Sequence, residues 1–350
     1  MRNRCAIGAL LDKFVLCRVD DLRGIDVGHY DFDSDVTIFL FVVNAEEDIY
    51  LRYGGRDDRS PERFLNFEAL DVALGRGLKR HAQCRAGKWR APKRKSALFP
   101  RDFADIKRKE IAAGRCVHCH MLGSNRTRQA QERGSLDKLK DLWVLPDIRK
   151  LGIDVDPKHG LKIAAVGGIA EKAGILVGEE ILAYDGKTVL THADLQYGLD
   201  KLPRQSKSLE LTIGKVGVPK HRRVRLNLPP RWRVTKIGRR SQTHALTPFP
   251  EFWARELSDG EREEEGIAAG GMGGRVTKFW ANPRLHAAFR KGLKKGNIVY
   301  SVNGTTRSPY TTNPTTWIRL NCETGDTVTI KAKRGKIELS FRFKLRARPW

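Results

Sequence analysis

Gly160-Leu161-Lys162-Ile163-Ala164-Ala165-Val166 opens the stretch whose reading decides the fold. It continues through Ala170-Glu171-Lys172-Ala173-Gly174-Ile175 and Gly178-Glu179-Glu180-Ile181 to Tyr184-Asp185-Gly186-Lys187, and a weaker copy follows downstream. That copy reads Gly274-Arg275-Val276, then Lys291-Gly292-Leu293-Lys294-Lys295-Gly296-Asn297, then Val302-Asn303-Gly304-Thr305. Each copy closes with two apolar-alternating segments, 209–214 with 223–228 and 327–332 with 337–343, which predict antiparallel β pairs. Self-similarity of this kind predicts two copies of one small β-rich domain, at 149–230 and 266–346. The stretch between them, 231–265, holds Pro248-Phe249-Pro250 and an acidic run at 261–265, and is expected to be an ordered linker with a short helix.

Upstream of the repeat the signals are mixed. Phe14 to Val19 reads as a strand, and Val36 to Val43 as a second, fully buried strand without a polar face. A turn at 44–48 leads into Ile49-Tyr50-Leu51-Arg52-Tyr53, the expected antiparallel partner. After Gly54-Gly55-Arg56-Asp57, Ser60-Pro61-Glu62 predicts a helix start, with Phe64, Phe67, Leu70, Leu74 and Leu78 at helical spacing up to His81. Residues 83–99 are basic and contain Pro92, which predicts a linker. Two helices, at 100–113 and 129–143, are expected to flank Cys116-Val117-His118-Cys119-His120 in a small module spanning 100–148.

C-x-x-C-H is the spacing at which two thiols attach a haem covalently and the next histidine binds its iron, which makes Cys116, Cys119 and His120 candidate c-type haem ligands. The same residues suit a redox dithiol, with His118 between the thiols favouring thiolate. Zinc is a third alternative, held by His81, Cys84, Cys116 and Cys119, although the loop between the two pairs is long for a compact knuckle. The fourth is a structural pair with no cofactor. The sequence identifies no sixth haem ligand: Met121 adjoins His120, Met272 lies in a Gly-rich segment, and His81 is a looser candidate.

Sixty-six Lys and Arg against 41 Asp and Glu give a net charge of +25, which favours anionic partners. The basic residues are densest in linker-like stretches, 79–115 and 220–240, so a solvated basic surface is expected rather than a specific nucleic-acid site, and an anionic surface is a compatible partner. No apolar run is long enough for a transmembrane segment, and residues after Met1 show no signal-peptide pattern, so the chain as written reads as cytoplasmic. Covalent haem attachment takes place outside the cytoplasm. Haem would therefore place the protein in the periplasm or cell envelope, with a translation start upstream of Met1. The segment before the first copy is too short for a protease double barrel and lacks a Gly-x-Ser-Gly nucleophile, so no catalytic residue is assigned.

The pattern G-L-x-I-x-x-V, A-x-x-A-G-I, G-E-E-I, D-G-K-x-V resembles a bacterial PDZ domain of the HtrA type. The second copy is more divergent, with Asn282-Pro283-Arg284 where that family has a Gly-Ser-Pro turn and Asn297 in place of an acid. The order D-x-D-V-T (33–37), Y-G-G-R-D (53–57), CxHCH and two repeats resembles the planctomycete thioredoxin-like/PDZ (seleno)protein family. The resemblance implies a multidomain α+β protein: a truncated thioredoxin-like α/β segment at 1–82, the helical CxxCH module and two PDZ-like domains. Cys5 and Cys17 have no CxxC partner, so no thioredoxin catalysis is expected, and a selenocysteine codon upstream of Met1 would account for the missing part. The resemblance further implies capture of a peptide as an added strand, with amides near Gly160 and Leu161 meeting its carboxylate and Ile163, Leu195 and Leu199 lining the groove. The alternative is that these apolar side chains fill the core. The expected function is an envelope redox or electron-transfer adaptor whose tandem PDZ domains bind peptide or protein partners beside CxxCH. A non-catalytic scaffold with a structural or zinc-binding CxxCH, and a thiol-disulfide oxidoreductase, are the alternatives.

Overall fold

The computed structural model describes residues 6–94, 96–215, 218, 220–238, 240–280, 282 and 286–347. It is a mixed α/β chain with several small antiparallel sheets, divided into two compact units. One unit is Met1–Leu122 with Trp143–Thr235, and the other is Gly123–Leu142 with Lys236–Trp350.

In the first unit, α1 (Ala6–Leu11) is followed by a hairpin of β1 (Leu40–Val43) and β2 (Ile49–Tyr53), then by α2 (Phe67–Arg85). Leu51 and Tyr53 of β2 are buried with Ala69 and Ala73 of α2. The strand expected at 14–19 does not form: Val15 and Leu16 are 92% and 68% exposed, so this stretch has neither a ladder partner nor a buried face. The strand expected at 36–43 shortens to β1, which is half exposed because α2 covers only one face of the hairpin. The helix begins at Phe67 rather than near Ser60, since Asn66 caps it by accepting from the Ala69 amide. Of the elements expected in this segment, the hairpin and the helix after it are present and the strand at 14–19 is not.

The CVHCH region holds α3 (Ala104–Ile106), which continues into a wider turn at Lys107–Ile111, and α4 (Cys119–Glu132). The helix expected at 129–143 thus starts at Cys119 instead and ends before Gly134, which lies in the left-handed region at φ +63°. The boundary between the two units falls inside α4, between Leu122 and Gly123.

The first β-domain contains β3 (Ile153–Val155), β4 (Ile163–Val166), α5 (Gly168–Lys172), β5 (Glu180–Tyr184), β6 (Lys187–Thr188), α6 (His192–Asp200), β7 (Ser208–Gly214) and β8 (His221–Asn227). Its strands form a β3-β4 pair and a sheet ordered β6-β5-β7-β8, linked by the bridge at Lys162 and Glu180 and by backbone bonds of Leu161 and Ile163 to the start of β5 and the turn before it.

The second unit contains α7 (Ser241–Ala245), β9 (Phe252–Glu256), α8 (Asp259–Glu264), β10 (Gly274–Phe279), α9 (Ala287–Arg290), β11 (Ile298–Val302), α10 (Pro314–Asn321), β12 (Thr327–Arg334) and β13 (Ile337–Lys344). One sheet runs β13-β12-β11-β10-β9. Residues 231–265, expected as a linker, therefore supply an edge strand to this sheet, and Phe252 is fully buried in its core. Pro283 and Arg284 of the divergent turn lie outside the described residues.

The internal repeat recurs in the backbone bonding around Ile163 and Val276 and at the following turns. Ile163 donates to Glu179 O and accepts from Gly178 at 2.8 and 2.9 Å, and Val276 bonds Asn297 O and Gly296 N in the same way, at 2.8 Å each. The turn residues Asp185 (φ +42°) and Asn303 (φ +48°) each precede a left-handed glycine. Each donates to a neighbouring strand of its sheet, to Glu210 O of β7 and to Thr329 O in the second copy, and accepts back on its side chain. Asn297 also explains its own substitution. Its Oδ1 accepts from the Lys294 amide at 2.9 Å, as Glu179 accepts from the Leu176 amide at 2.8 Å.

Candidate site: the cleft between β3 and α6

Two glycines steer the chain out of the hairpin. Gly54 and Gly55 follow β2 at φ +121° and +92°, conformations costly for any side chain. A Cβ on Gly55 would sit 3.0 Å from Gln196 Oε1 and 3.3 Å from His192 Nδ1. The Y-G-G signature is thus a sharp turn that lets the backbone pass against the start of α6. Arg52, just before it, donates its amide to Asp194 Oδ1 at 3.0 Å and lays its guanidinium 3.9 Å over the Tyr197 ring.

Residues 56–64, Arg-Asp-Asp-Arg-Ser-Pro-Glu-Arg-Phe, then cross from α6 to β3 as a loop. On the helix side, Gln196 Nε2 donates to Arg56 O at 2.7 Å. Phe64 stacks on His192 with ring centroids 3.5 Å apart and planes within 9°. Phe64 belongs to the core that includes Leu151, Ile153 and Leu195, and a cavity of only about 10 Å³ is left beside it. On the strand side, Asp154 of β3 accepts from both Arg63 and Arg59 at 3.0 Å. Asp57, almost fully buried, is shared between Arg63 at 3.0 Å and Arg149 at 3.5 Å. Past the end of β3, Asn66 Nδ2 donates to Pro157 O at 2.9 Å. Among the described residues β3 pairs with β4 alone, so the loop covers its other side with side chains and not with a strand.

Burial lowers the pKa of His192 to about 4, against the opposing pull of Asp147 and Asp57. Its Nδ1 is buried without a hydrogen-bond partner, as a neutral ring in an apolar stack allows. Burial also opposes ionisation of Asp147, but hydrogen bonds and charge from Arg149 outweigh it and lower its pKa. The site holds a neutral aromatic stack between buried ion pairs.

Leu161, Ile163, Leu195 and Leu199 are each no more than 1% exposed and sit in the core beneath the cleft. Gly160 (φ +82°) lies at its rim, where a Cβ would meet the His192 amide at 3.4 Å, and its own amide donates to Asp156 O. The sequence pattern assigns none of Phe64, His192, Asp57 and Asp154 to a site: Phe64 reads as part of a helix and Asp57 as part of a turn. Their signal was the mixed-charge run at 56–63, which ends on an aromatic residue directly behind the double glycine.

At CVHCH, Val117 is fully buried and its backbone is bonded on both sides, to Asp21 Oδ1 and from Leu22 N, at 3.1 Å each. Cys116 and His120 are exposed, Cys119 is half-buried, and both thiols are free. Burial raises the Cys119 pKa, which disfavours thiolate. The apolar residues around the motif, Leu22, Val27, Phe103, Ile106 and Leu122, are buried against one another with Val117. The donor chemistry of the motif fits a haem, and partly buried Ile25, Phe32, Leu98, Ile111 and Met121 pack against the same cluster. His81 Nδ1 bonds Tyr50 Oη at 3.0 Å. Among the described residues no three His, Cys, Asp or Glu side chains converge as a metal site, so His81, Cys84, Cys116 and Cys119 do not form one ligand set.

No family model matches the chain, and no curated protein matches it. Solved structures of an HtrA-type protease, AlgW, are similar to part of it. A variant bound to a decapeptide is 13% identical, with a TM-score of 0.25 and coverage of 40% of this chain and 41% of that one. AlgW with a decapeptide is 11% identical, with a TM-score of 0.24 and coverage of 43% and 52%. The chain thus spans about two-fifths to half of these structures, and likenesses of this size carry no argument about fold or activity. No helix among the described residues is long and apolar enough to cross a membrane.

Proposed function

We propose that the chain is a non-catalytic scaffold that binds peptide or protein segments through PDZ-like β-domains, with CVHCH in a structural role. The observation that carries this reading is the β3–α6 cleft. A strand with one side unpaired among the described residues stands beside a capped helix, and an apolar pocket between them accepts a single aromatic anchor flanked by ion pairs. Strand addition beside a helix is a recurrent way to hold an extended peptide, and alternating side chains supply its specificity. Half-buried Cys119, whose pKa burial raises, and a motif tied down by Val117 favour structure over thiol exchange or electron transfer.

The test has two arms. Peptides selected on the immobilised full chain from a random library should bind it saturably in fluorescence anisotropy and lose at least tenfold in affinity with Asp154→Arg. Failure of every selected peptide to saturate would overturn the binding reading. Protein purified from its native host should show apoprotein mass and no haem absorbance. A band that survives denaturation with matching added mass would instead establish a c-type haem, and with it an exported redox adaptor.

A further inference from the structure

The loop at 56–64 is joined to its cleft as a ligand would be. It is tied to both walls, by Gln196 on α6 and Asp154 on β3. One apolar side chain, Phe64, enters the pocket, while basic residues meet the acidic rim. It leaves the free side of β3 without a strand partner among the described residues. We propose that residues 56–64 form a displaceable plug, so that the first β-domain is gated by its own chain and admits a partner segment of the plug's chemistry, a basic residue directly before an aromatic one. This rests on the peptide-binding reading above. A tethered segment competes at an effective concentration on the order of mM, so a free peptide of equal intrinsic affinity is largely excluded until the tether or its anchors are weakened.

Two full-length variants release the plug by different means. Arg59→Glu with Arg63→Glu reverses both contacts to Asp154, and Gly55→Val forces a side chain towards Gln196 and His192 in a left-handed backbone position. Circular dichroism and a cooperative thermal transition establish that each is folded. The probe is a fluorescein-labelled peptide spanning residues 56–66, titrated into wild type and both variants. The expected result is at least tenfold tighter binding to the released variants than to wild type, with at least tenfold loss when the peptide's phenylalanine is replaced by alanine. Folded variants that bind the probe no better than wild type would overturn the proposal. If library-selected peptides then bind all three forms alike, the binding reading survives without gating; if no peptide binds any form, both fall together.

Discussion

In the first β-domain the cleft beside α6 is filled by residues from far upstream, whereas in the second the helix α10 closes against its own sheet. Asn313, the α10 cap, donates to Ala254 O of β9 at 2.8 Å. A Cβ on Gly274 of β10 would sit 2.7 Å from the Pro314 ring and 3.0 Å from Ala254 Cβ. The matched bonding of Ile163 and Val276 puts Gly274 where the first domain has Leu161. With glycine there, strand and helix approach until no side chain fits between them. The strands themselves match at this point: Leu161 O accepts from the Ile181 amide at 3.1 Å, as Gly274 pairs with Val299. The same order of elements therefore gives one cleft able to take a phenylalanine and one that is shut.

The sharpest way to break this contrast is to remove the anchor. Phe64→Ala deletes a buried ring, and the guanidinium transition of the first unit is expected to lose about 4 kcal/mol. A loss below about 1 kcal/mol would mean the ring is not seated in the core. Acid should act on the same stack. Because His192 has a folded pKa of about 4, below its ordinary 6.5, its contribution is fully present above pH 6.5 and is lost as pH falls towards 4. The effect reaches about 3 kcal/mol, and His192→Phe is expected to flatten stability in that window while Asp57, Asp147, Arg63 and Arg149 remain. An unchanged slope in the variant would assign the acid sensitivity elsewhere.

In the second domain, Gly274→Leu restores the first domain's residue and should overpack the β10–α10 contact, at a cost of about 2 kcal/mol in thermal unfolding. A neutral outcome would show that the cleft opens readily. The smallest effect is expected from Asn297→Asp, which restores an acid beside Arg334, whose Nη2 lies 3.1 Å from Asn297 Oδ1. Stability should rise by about 0.5 kcal/mol, and a clear loss would contradict the equivalence with Glu179 and Arg222.

The repeat was legible because glycine turns and strand alternation are local signals: Asp185-Gly186 and Asn303-Gly304 take the same backbone path. The N-terminal part was less legible. Val15, Leu16 and Val19 have strand propensity but no partner, and Phe64 has helical spacing to Phe67 yet is claimed by His192, a residue distant in sequence. The helix start at Cys119 and the edge strand β9 were likewise decided by burial that periodicity does not encode. At the site, the core leucines were visible as an apolar pattern, while the plug depends on long-range ion pairs that no local pattern announces.

Hydrogen exchange of the full-length Arg59→Glu, Arg63→Glu chain, with and without saturating peptide spanning residues 56–66, tests the central claim most directly. The predicted result is peptide-dependent protection at amides of 153–155 and 192–199, with no change at 252–256 or 314–321. Absence of protection at the first pair of segments, or equal protection at the second, would contradict the assignment of the β3–α6 cleft as the docking site.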